Sequence, residues 1–430
     1  MASRRLIWVG LYGVDAQPLD ALPQFSHCFS LRVPLQHPRI PGVAAEDRLG
    51  LRASEQGLSA VLALKVLHDE VASACGSPAA IVAFAPFPFF ADLLGEYPHA
   101  SHLGSPWDEF EALNQKRYVE DQLRAFAPQD LNFIDWRPLP QGSSRVEIVR
   151  DELARHPIVL RTASSHAGVG HELLTDEATL ASSRLLDDPS AVLGPFLAEH
   201  IPVTVSACVF PNGDITLHCP AIQLIGLSHA KSAFTYCGND TGAIRQLPRP
   251  LLDDLDACAR TVGRWLHRRG YVGAFGVDAL VHEGRLLFGE LNPRFQGSIR
   301  ISNALDAALG RPDILQDHLM AWLGIPAIPS PPLAELVAAQ PARSQVLLFN
   351  NSAARTRVRR HDAPLPEGAE MLLAPAEHVL VDPGELAFVL EFERSVTTDG
   401  RSLEANIAAT VQASLATALE TQDARRRGRR

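Results

Sequence analysis

The feature that most limits the fold of this chain is a pair of apolar segments separated by a short polar turn. Residues 274–281 and 286–291 are the two apolar runs, and together they predict a β-hairpin. If residues 283–285 form a three-residue loop, the register places Asp278 directly opposite Glu290. The hairpin would then bring two carboxylates together on one face of a sheet.

An amide and a guanidinium would join these carboxylates. Asp278 and Glu290 would have Cβ atoms roughly 5 Å apart, and like charges so opposed are destabilising unless a cation lies between them. Asn292 is two residues beyond Glu290 and therefore points the same way. Such oxygen ligands suit a hard ion such as Mg²⁺, and Arg294 can hold phosphate or carboxylate as a planar fork. The alternative, a solvated hairpin with ordinary surface charges, is disfavoured because the segment after Arg294 fits a ligand-facing exit loop.

This ordered set resembles the metal-binding hairpin of the ATP-grasp superfamily, in which an acidic residue is followed by Glu-x-Asn-x-Arg. The resemblance implies that Asp278, Glu290 and Asn292 bind Mg²⁺ (or Mn²⁺) bridging the phosphates of ATP. It also implies that Glu290 and Arg294 act in catalysis, with Arg294 contacting the transferring phosphoryl group or the acid substrate.

Earlier segments resemble the nucleotide-binding parts of the same superfamily. A predicted helix over 114–126 has Lys116 in its first turn, and a predicted strand over 156–161 ends in an arginine where the superfamily usually has lysine. Residues 164–170 resemble its glycine-rich lid, for which a plain hairpin turn is the alternative, and residues 192–197 occupy the place of its adenine-binding hinge. The residues that the resemblance assigns to the nucleotide are Lys116, Arg161, Ser164, Ser165, Gly168, Gly170, Phe196, Leu197 and, for the ribose, Glu199.

The chain divides into three predicted domains. Residues 1–112 alternate short apolar runs with an amphipathic segment, which predicts a Rossmann-like α/β domain, called the pre-ATP-grasp domain in this superfamily. Residues 113–328 would form the ATP-grasp domain, with a lid subdomain over about 150–200. A proline-rich stretch precedes a small α+β module over 340–430. The predicted fold class is therefore α/β and α+β, with an ATP-grasp fold between the two flanking domains.

Composition limits the partners and the compartment. The net charge of −10 argues against a nucleic-acid-binding protein. The six cysteines form no C-x-x-C pair, which favours reduced thiols in a cytosol. The apolar run near the N-terminus is too short for a signal peptide, and no run approaches the ~20 residues of a membrane span, so we expect a cytoplasmic protein without a membrane partner. The arginines of residues 425–430 favour a solvated terminus, with anion contact as the alternative.

The function that the resemblance implies is that of an ATP-dependent carboxylate–amine ligase of the peptide type. It would form an amide through an acyl phosphate and release ADP and phosphate. Its partners would be a small, amino-acid-like carboxylic acid and an amine or peptide, in keeping with stand-alone peptide ligases of natural-product pathways, and a homodimer is compatible with the resemblance. The alternatives are another ATP-grasp enzyme, performing biotin-carboxylase-like carboxylation or small-molecule phosphotransfer, and a non-catalytic nucleotide-binding protein.

Overall fold

The computed structural model describes residues 4–35, 39–40, 42–52, 58–140, 142, 144–163, 170–359 and 364–421. Within these ranges, no helix combines the length and the apolar character needed to cross a membrane.

A parallel sheet forms the N-terminal part of the described chain. Its strand order is β3-β2-β1-β4-β5, where the strands are β1 (Arg5–Tyr12), β2 (Phe25–Arg32), β3 (Gly42–Ala44), β4 (Ala79–Ala83) and β5 (Ala100–His102). The accompanying helices are α1 (Ala45–Leu49), α2 (Leu58–Ala74), α3 (Phe90–Glu96) and α4 (Trp107–Leu113). All of β4 and the middle of β1 are buried, as their apolar runs predict for parallel strands. The predicted α/β architecture of this part is confirmed.

A smaller antiparallel sheet follows, with strand order β6-β9-β7-β8. Its strands are β6 (Arg137–Pro138), β7 (Ile158–Arg161), β8 (His171–Leu174) and β9 (Val192–Pro195). The helices of this region are α5 (Lys116–Phe126), α6 (Ser144–Leu153) and α7 (Glu177–Ser182). Apolar side chains from the strands and from α6 and α7 form a separate small core, so this sheet is a unit beside the large one.

The central element is a larger antiparallel sheet with strand order β15-β14-β10-β12-β13-β16-β19-β18, and β11 pairs with β10. Its strands are β10 (Ile201–Val209), β11 (Ile215–Leu217), β12 (Ala221–Ile225), β13 (Tyr236–Asp240), β14 (Gly273–His282), β15 (Arg285–Asn292), β16 (Ser344–Phe349), β18 (Ala369–Leu373) and β19 (Leu386–Phe392). The remaining elements are β17 (Thr356–Val358), β20 (Leu419–Thr421), α8 (Arg249–Arg268), α9 (Ile299–Ala308), α10 (Ile314–Trp322), α11 (Leu333–Ala339) and α12 (Ala405–Ala418). Because β13 pairs with β16, the strands after the proline-rich stretch extend the same sheet. The domain boundaries themselves remain a prediction.

The hairpin of β14 and β15 reaches the predicted register by a different route. Its turn has two residues, Glu283 and Gly284, with φ values of 50° and 72°, so the predicted three-residue loop is wrong. A bulge at Gly289 then shifts the pairing by one residue and places Asp278 opposite Glu290. A Cβ on Gly289 would lie 2.9 Å from the carbonyl oxygen of Asp278, which explains the glycine at the bulge.

A buried ionic cluster fastens the end of β11 to the helices beneath the sheet. His218 Nδ1 lies 2.8 Å from Asp306 Oδ2, and its Nε2 lies 3.3 Å from Asp317 Oδ2. Burial lowers the pKa of His218, but the two carboxylates outweigh it and raise the pKa to about 9. The imidazolium therefore links β11 to α9 and α10.

Candidate nucleotide and metal site

The central sheet, the smaller sheet and the edge of the parallel sheet enclose a cavity of about 1270 Å³. The structure gathers most of the predicted site residues around it: Lys116, Arg161, Phe196, Leu197, Glu199, Asp278, Glu290, Asn292 and Arg294. Gly170 lies at the end of the predicted lid, where its carbonyl oxygen accepts a hydrogen bond from the Thr162 backbone at 2.9 Å, and it does not line the cavity. Ser164, Ser165 and Gly168 lie outside the described residues.

Asp278 is the most heavily hydrogen-bonded carboxylate of the site. Its Oδ1 accepts from Thr204 Oγ1 at 2.6 Å and from Gln296 Nε2 at 2.9 Å, and its Oδ2 accepts from Asn292 Nδ2 at 3.0 Å. Burial, followed by the charge of Glu290, raises the pKa of Asp278 to about 6. A cation bound beside Asp278 would favour its ionised form.

Glu290 faces a lysine at the start of α5. Lys116 Nζ lies 2.6 Å from Glu290 Oε2, and the lysine side chain is only 10% exposed. Burial would raise the pKa of Glu290, but Lys116 and then Arg294 outweigh it and hold this carboxyl ionised, with its pKa lowered to about 2. The first turn of α5 thus places the Lys116 ammonium group beside Glu290, a predicted metal ligand.

The donor set fits a hard divalent cation. Asp278 and Glu290 are cross-strand partners, and Asn292 adds an amide oxygen on the same strand as Glu290. The described ranges contain no group of three or more His, Cys, Asp or Glu side chains that could hold a metal. Two carboxylates and one amide therefore make this hairpin the metal-site candidate.

Gln296 and Gly276 complete the site and were missed from the sequence. Gln296 Nε2 donates to Thr204 Oγ1 at 2.8 Å, and its Oε1 accepts from Ser206 Oγ at 2.9 Å. Gly276 leaves the space for this side chain, because a Cβ at that position would lie 2.0 Å from Gln296 Cδ. Gln296 lies in the polar segment after Arg294, which the sequence analysis interpreted only as a ligand-facing exit loop.

The Arg161 side chain contacts two residues, Glu120 and Trp136, that the sequence analysis did not predict. Its guanidinium lies 2.5 Å from Glu120 Oε1 and stacks 4.0 Å from the ring centre of Trp136. Glu120 is one helical turn after Lys116 on α5, a spacing that could have flagged it. A phosphate contact for Arg161 stays a prediction.

The hinge prediction falls on β9 and the residues after it. Gly194 packs against Trp136, since a Cβ there would lie 2.4 Å from the indole ring. The Phe196 backbone N–H donates to the carbonyl of Pro157 at 3.1 Å, and the Leu197 carbonyl accepts from His200 Nδ1 at 2.6 Å. Both residues line the cavity, so they can contact a base through their remaining groups.

Glu199, the predicted ribose residue, lies at the rim. Its side chain is 84% exposed and lies 3.9 Å from Arg401, and its φ is 57°. Its contact with a ribose remains a prediction.

The central sheet with its acidic hairpin, the smaller sheet beside it and the parallel domain before it define the ATP-grasp fold, and this confirms the predicted fold class. Among solved structures, the biotin carboxylase domain of Hydrogenobacter thermophilus 2-oxoglutarate carboxylase, bound to MgADP, ADP and bicarbonate, matches with a TM-score of 0.64 and 12% identity over 97% of this chain and 91% of that chain. An ADP complex of N5-carboxyaminoimidazole ribonucleotide synthetase matches with a TM-score of 0.58 and 14% identity, covering 96% of each chain. The Aspergillus clavatus carboxyaminoimidazole ribonucleotide synthase, bound to ATP, has a TM-score of 0.61 and 12% identity over 96% of this chain and 99% of that chain. At these identities the likeness concerns the fold.

One curated relative matches at the level of sequence. The formate-dependent phosphoribosylglycinamide formyltransferase of Anaeromyxobacter dehalogenans (strain 2CP-C) is 25% identical over 225 residues, which are 51% of this chain and 51% of the relative. The chain thus spans about half the length of the curated relative that it matches. No family model matches the chain.

Proposed function

We propose that this chain is an ATP-dependent carboxylate–amine ligase. ATP phosphorylates the carboxylate of one substrate, and the amine of the other attacks the acyl carbon and displaces phosphate. The products are an amide, ADP and phosphate. The observation that carries the proposal is the convergence of Asp278, Glu290 and Asn292 beside Lys116 and Arg294 in one cavity.

The residues of the cavity suit phosphoryl transfer by charge neutralisation and positioning. Asp278, Glu290 and Asn292 would hold Mg²⁺, which supplies positive charge to the β- and γ-phosphates when bound. Lys116 and Arg294 provide further positive charge beside it. The cysteines do not line the cavity, so no thiol nucleophile is available there. In the proposed reaction, the substrate's own carboxylate is the group that ATP activates.

The names of the similar proteins support this reaction class. Formate appears in the name of the curated relative, and bicarbonate and adenine nucleotides are bound in solved structures of the same fold. Formate and bicarbonate are both small oxyacids, so a carboxylate-activating reaction is compatible with each. An amino-acid-like substrate, and hence peptide-type ligation, is the finer part of the proposal.

Trapping the acyl phosphate with hydroxylamine tests the proposal. A panel of carboxylic acids, each incubated with ATP, Mg²⁺ and hydroxylamine, should yield a hydroxamate and ADP for the correct acid. Glu290→Ala should abolish both products, whereas Glu283→Ala, in the exposed turn of the same hairpin, should leave them unchanged. AMP and pyrophosphate would mean adenylation and would refute the proposal. ADP release that requires bicarbonate and biotin would instead establish carboxylation.

A further inference from the structure

The cavity extends past the metal site to the carboxyl ends of the strands of the parallel sheet. The chain leaves β1 towards β2 and β3 on one side and returns to β4 on the other, so β1 and β4 form a topological switch point. In open α/β sheets, ligands bind in the crevice outside the carboxyl ends of the strands at this point. Residues at those ends all line the cavity: Tyr12, which ends β1, Asp15 beyond it, and Phe84 and Phe87 beyond β4. We call this extension the switch-point crevice.

Charges of both signs meet in the switch-point crevice. Asp15 is only 4% exposed, and within the described ranges its Oδ2 has no hydrogen-bond partner. Burial raises the pKa of Asp15 to about 7, and the charge of Arg300 opposes that rise. Arg300 also contacts Glu391, and its side chain remains 21% exposed. An ammonium group beside Asp15 and a carboxylate beside Arg300 would each find an opposite charge.

An apolar row adjoins these charges. Leu347 of β16 pairs with Val389 of β19, which pairs with Leu373 of β18, and all three side chains line the cavity. Tyr12 and Val14, which flank the crevice, pack against the core that contains this row. The strands after the proline-rich stretch therefore give the crevice one apolar wall.

We propose that the switch-point crevice binds an α-amino acid with an apolar side chain. Asp15 accepts hydrogen bonds from its ammonium group, Arg300 donates to its carboxylate, and its side chain packs on Leu347 and Val389. That this amino acid supplies the amine of the reaction rests on the proposed ligase function, whereas its binding does not.

Equilibrium binding with matched ligands tests the subsite. Isothermal titration calorimetry would compare L-leucine with glycine, L-leucinamide and 4-methylpentanoate, which lack the side chain, the carboxylate and the ammonium group respectively. The wild-type chain should bind L-leucine at least about tenfold more tightly than each of the other three, as expected for a lost charged hydrogen bond or lost apolar contact.

Two variants separate the two charges. Asp15→Asn should weaken L-leucine at least about tenfold and leave 4-methylpentanoate unchanged, while Arg300→Gln should weaken L-leucine to that extent and leave L-leucinamide unchanged. Asp20→Asn, in the same segment, and Arg343→Gln, which also pairs with Glu391, are matched controls outside the cavity and should bind as wild type.

The binding and turnover results distinguish failure of the subsite from failure of the ligase function. No measurable L-leucine binding, equal binding of 4-methylpentanoate, or wild-type binding by both crevice variants would overturn the subsite. L-Leucine binding without ADP release from any acid would refute the ligase function and keep the subsite. ADP and amide formation by a chain that ignores L-leucine would do the reverse.

Discussion

The side chain of Gln296 fills the space beside Gly276, so the site requires a glycine at this position. The backbone at Gly276 does not have a positive φ, so alanine is acceptable there for the backbone itself. The obstacle is the side chain of Gln296, whose Cδ would lie 2.0 Å from an added Cβ. Gly276→Ala should therefore act by displacing Gln296 from the buried network around Asp278.

The cost follows from the hydrogen bonds that Gln296 would lose. It donates to Thr204 Oγ1 at 2.8 Å and to the Asp278 carboxylate at 2.9 Å, and it accepts from Ser206 Oγ at 2.9 Å. A neutral hydrogen bond contributes about 1 kcal/mol and one to a charged group about 1.5–3 kcal/mol. Gly276→Ala should therefore lower the free energy of unfolding by roughly 3.5–5 kcal/mol.

A double-mutant cycle isolates this cause. In a Gln296→Ala background the obstructing side chain is gone, so adding Gly276→Ala should cost less than about 1 kcal/mol and give a large interaction energy. The measurement is urea unfolding followed by the fluorescence of the five tryptophans. Gly95→Ala is the matched control, because nothing lies within 4 Å of a Cβ there and the substitution should not destabilise. An equal cost of Gly276→Ala in both backgrounds would refute the reasoning.

Three further predictions follow from ionic groups of the site and the core. Glu290→Ala should abolish ADP release, since it removes a metal ligand from the cavity; near-normal turnover would contradict the metal assignment. Because the pKa of His218 is about 9 in the folded chain and 6.5 in the unfolded chain, protonated His218 stabilises the fold fully below pH 6.5. This contribution is lost as the pH rises through about 9. The unfolding free energy of wild type should thus fall by about 3 kcal/mol relative to His218→Gln between those pH values, whereas parallel pH curves would rule the contribution out. Glu120→Gln leaves the buried Arg161 without its carboxylate partner and should lower the free energy of unfolding by about 3–5 kcal/mol. The control Glu177→Gln, which breaks an exposed ion pair, should lower it by less than about 1 kcal/mol, and equal urea midpoints for the two variants would disprove the prediction.

The metal hairpin could be predicted because its information is local. Two apolar runs and a polar turn specify the hairpin, and alternation along β15 puts Glu290 and Asn292 on one face. The pairing of Asp278 with Glu290 was predicted correctly from a wrong loop length, because the bulge at Gly289 offsets the shorter turn. The sequence also predicted a helix over 114–126 with Lys116 in its first turn, and the structure has that helix beginning at Lys116.

Pairings between distant segments could not be predicted from local patterns. The polar, glycine-punctuated segment of residues 223–242 contains the end of β12 and all of β13, in the middle of the sheet. The pairing of β13 with β16 joins segments about a hundred residues apart, and no periodicity within either strand encodes its partner. The C-terminal strands were therefore predicted as part of a small α+β module and not as an extension of the central sheet.

The sequence by itself determined that residues 274–292 form a hairpin and that Asp278, Glu290 and Asn292 lie together on it. Only the tertiary structure decided which distant residues lie together: Gln296 in the space above Gly276, Glu120 against Arg161, and Asp15 near enough to Arg300 for that charge to lower its pKa. The physical reason is that strand periodicity fixes which way neighbouring side chains point, whereas contacts between separate elements depend on how whole sheets pack, which a single sequence does not reveal.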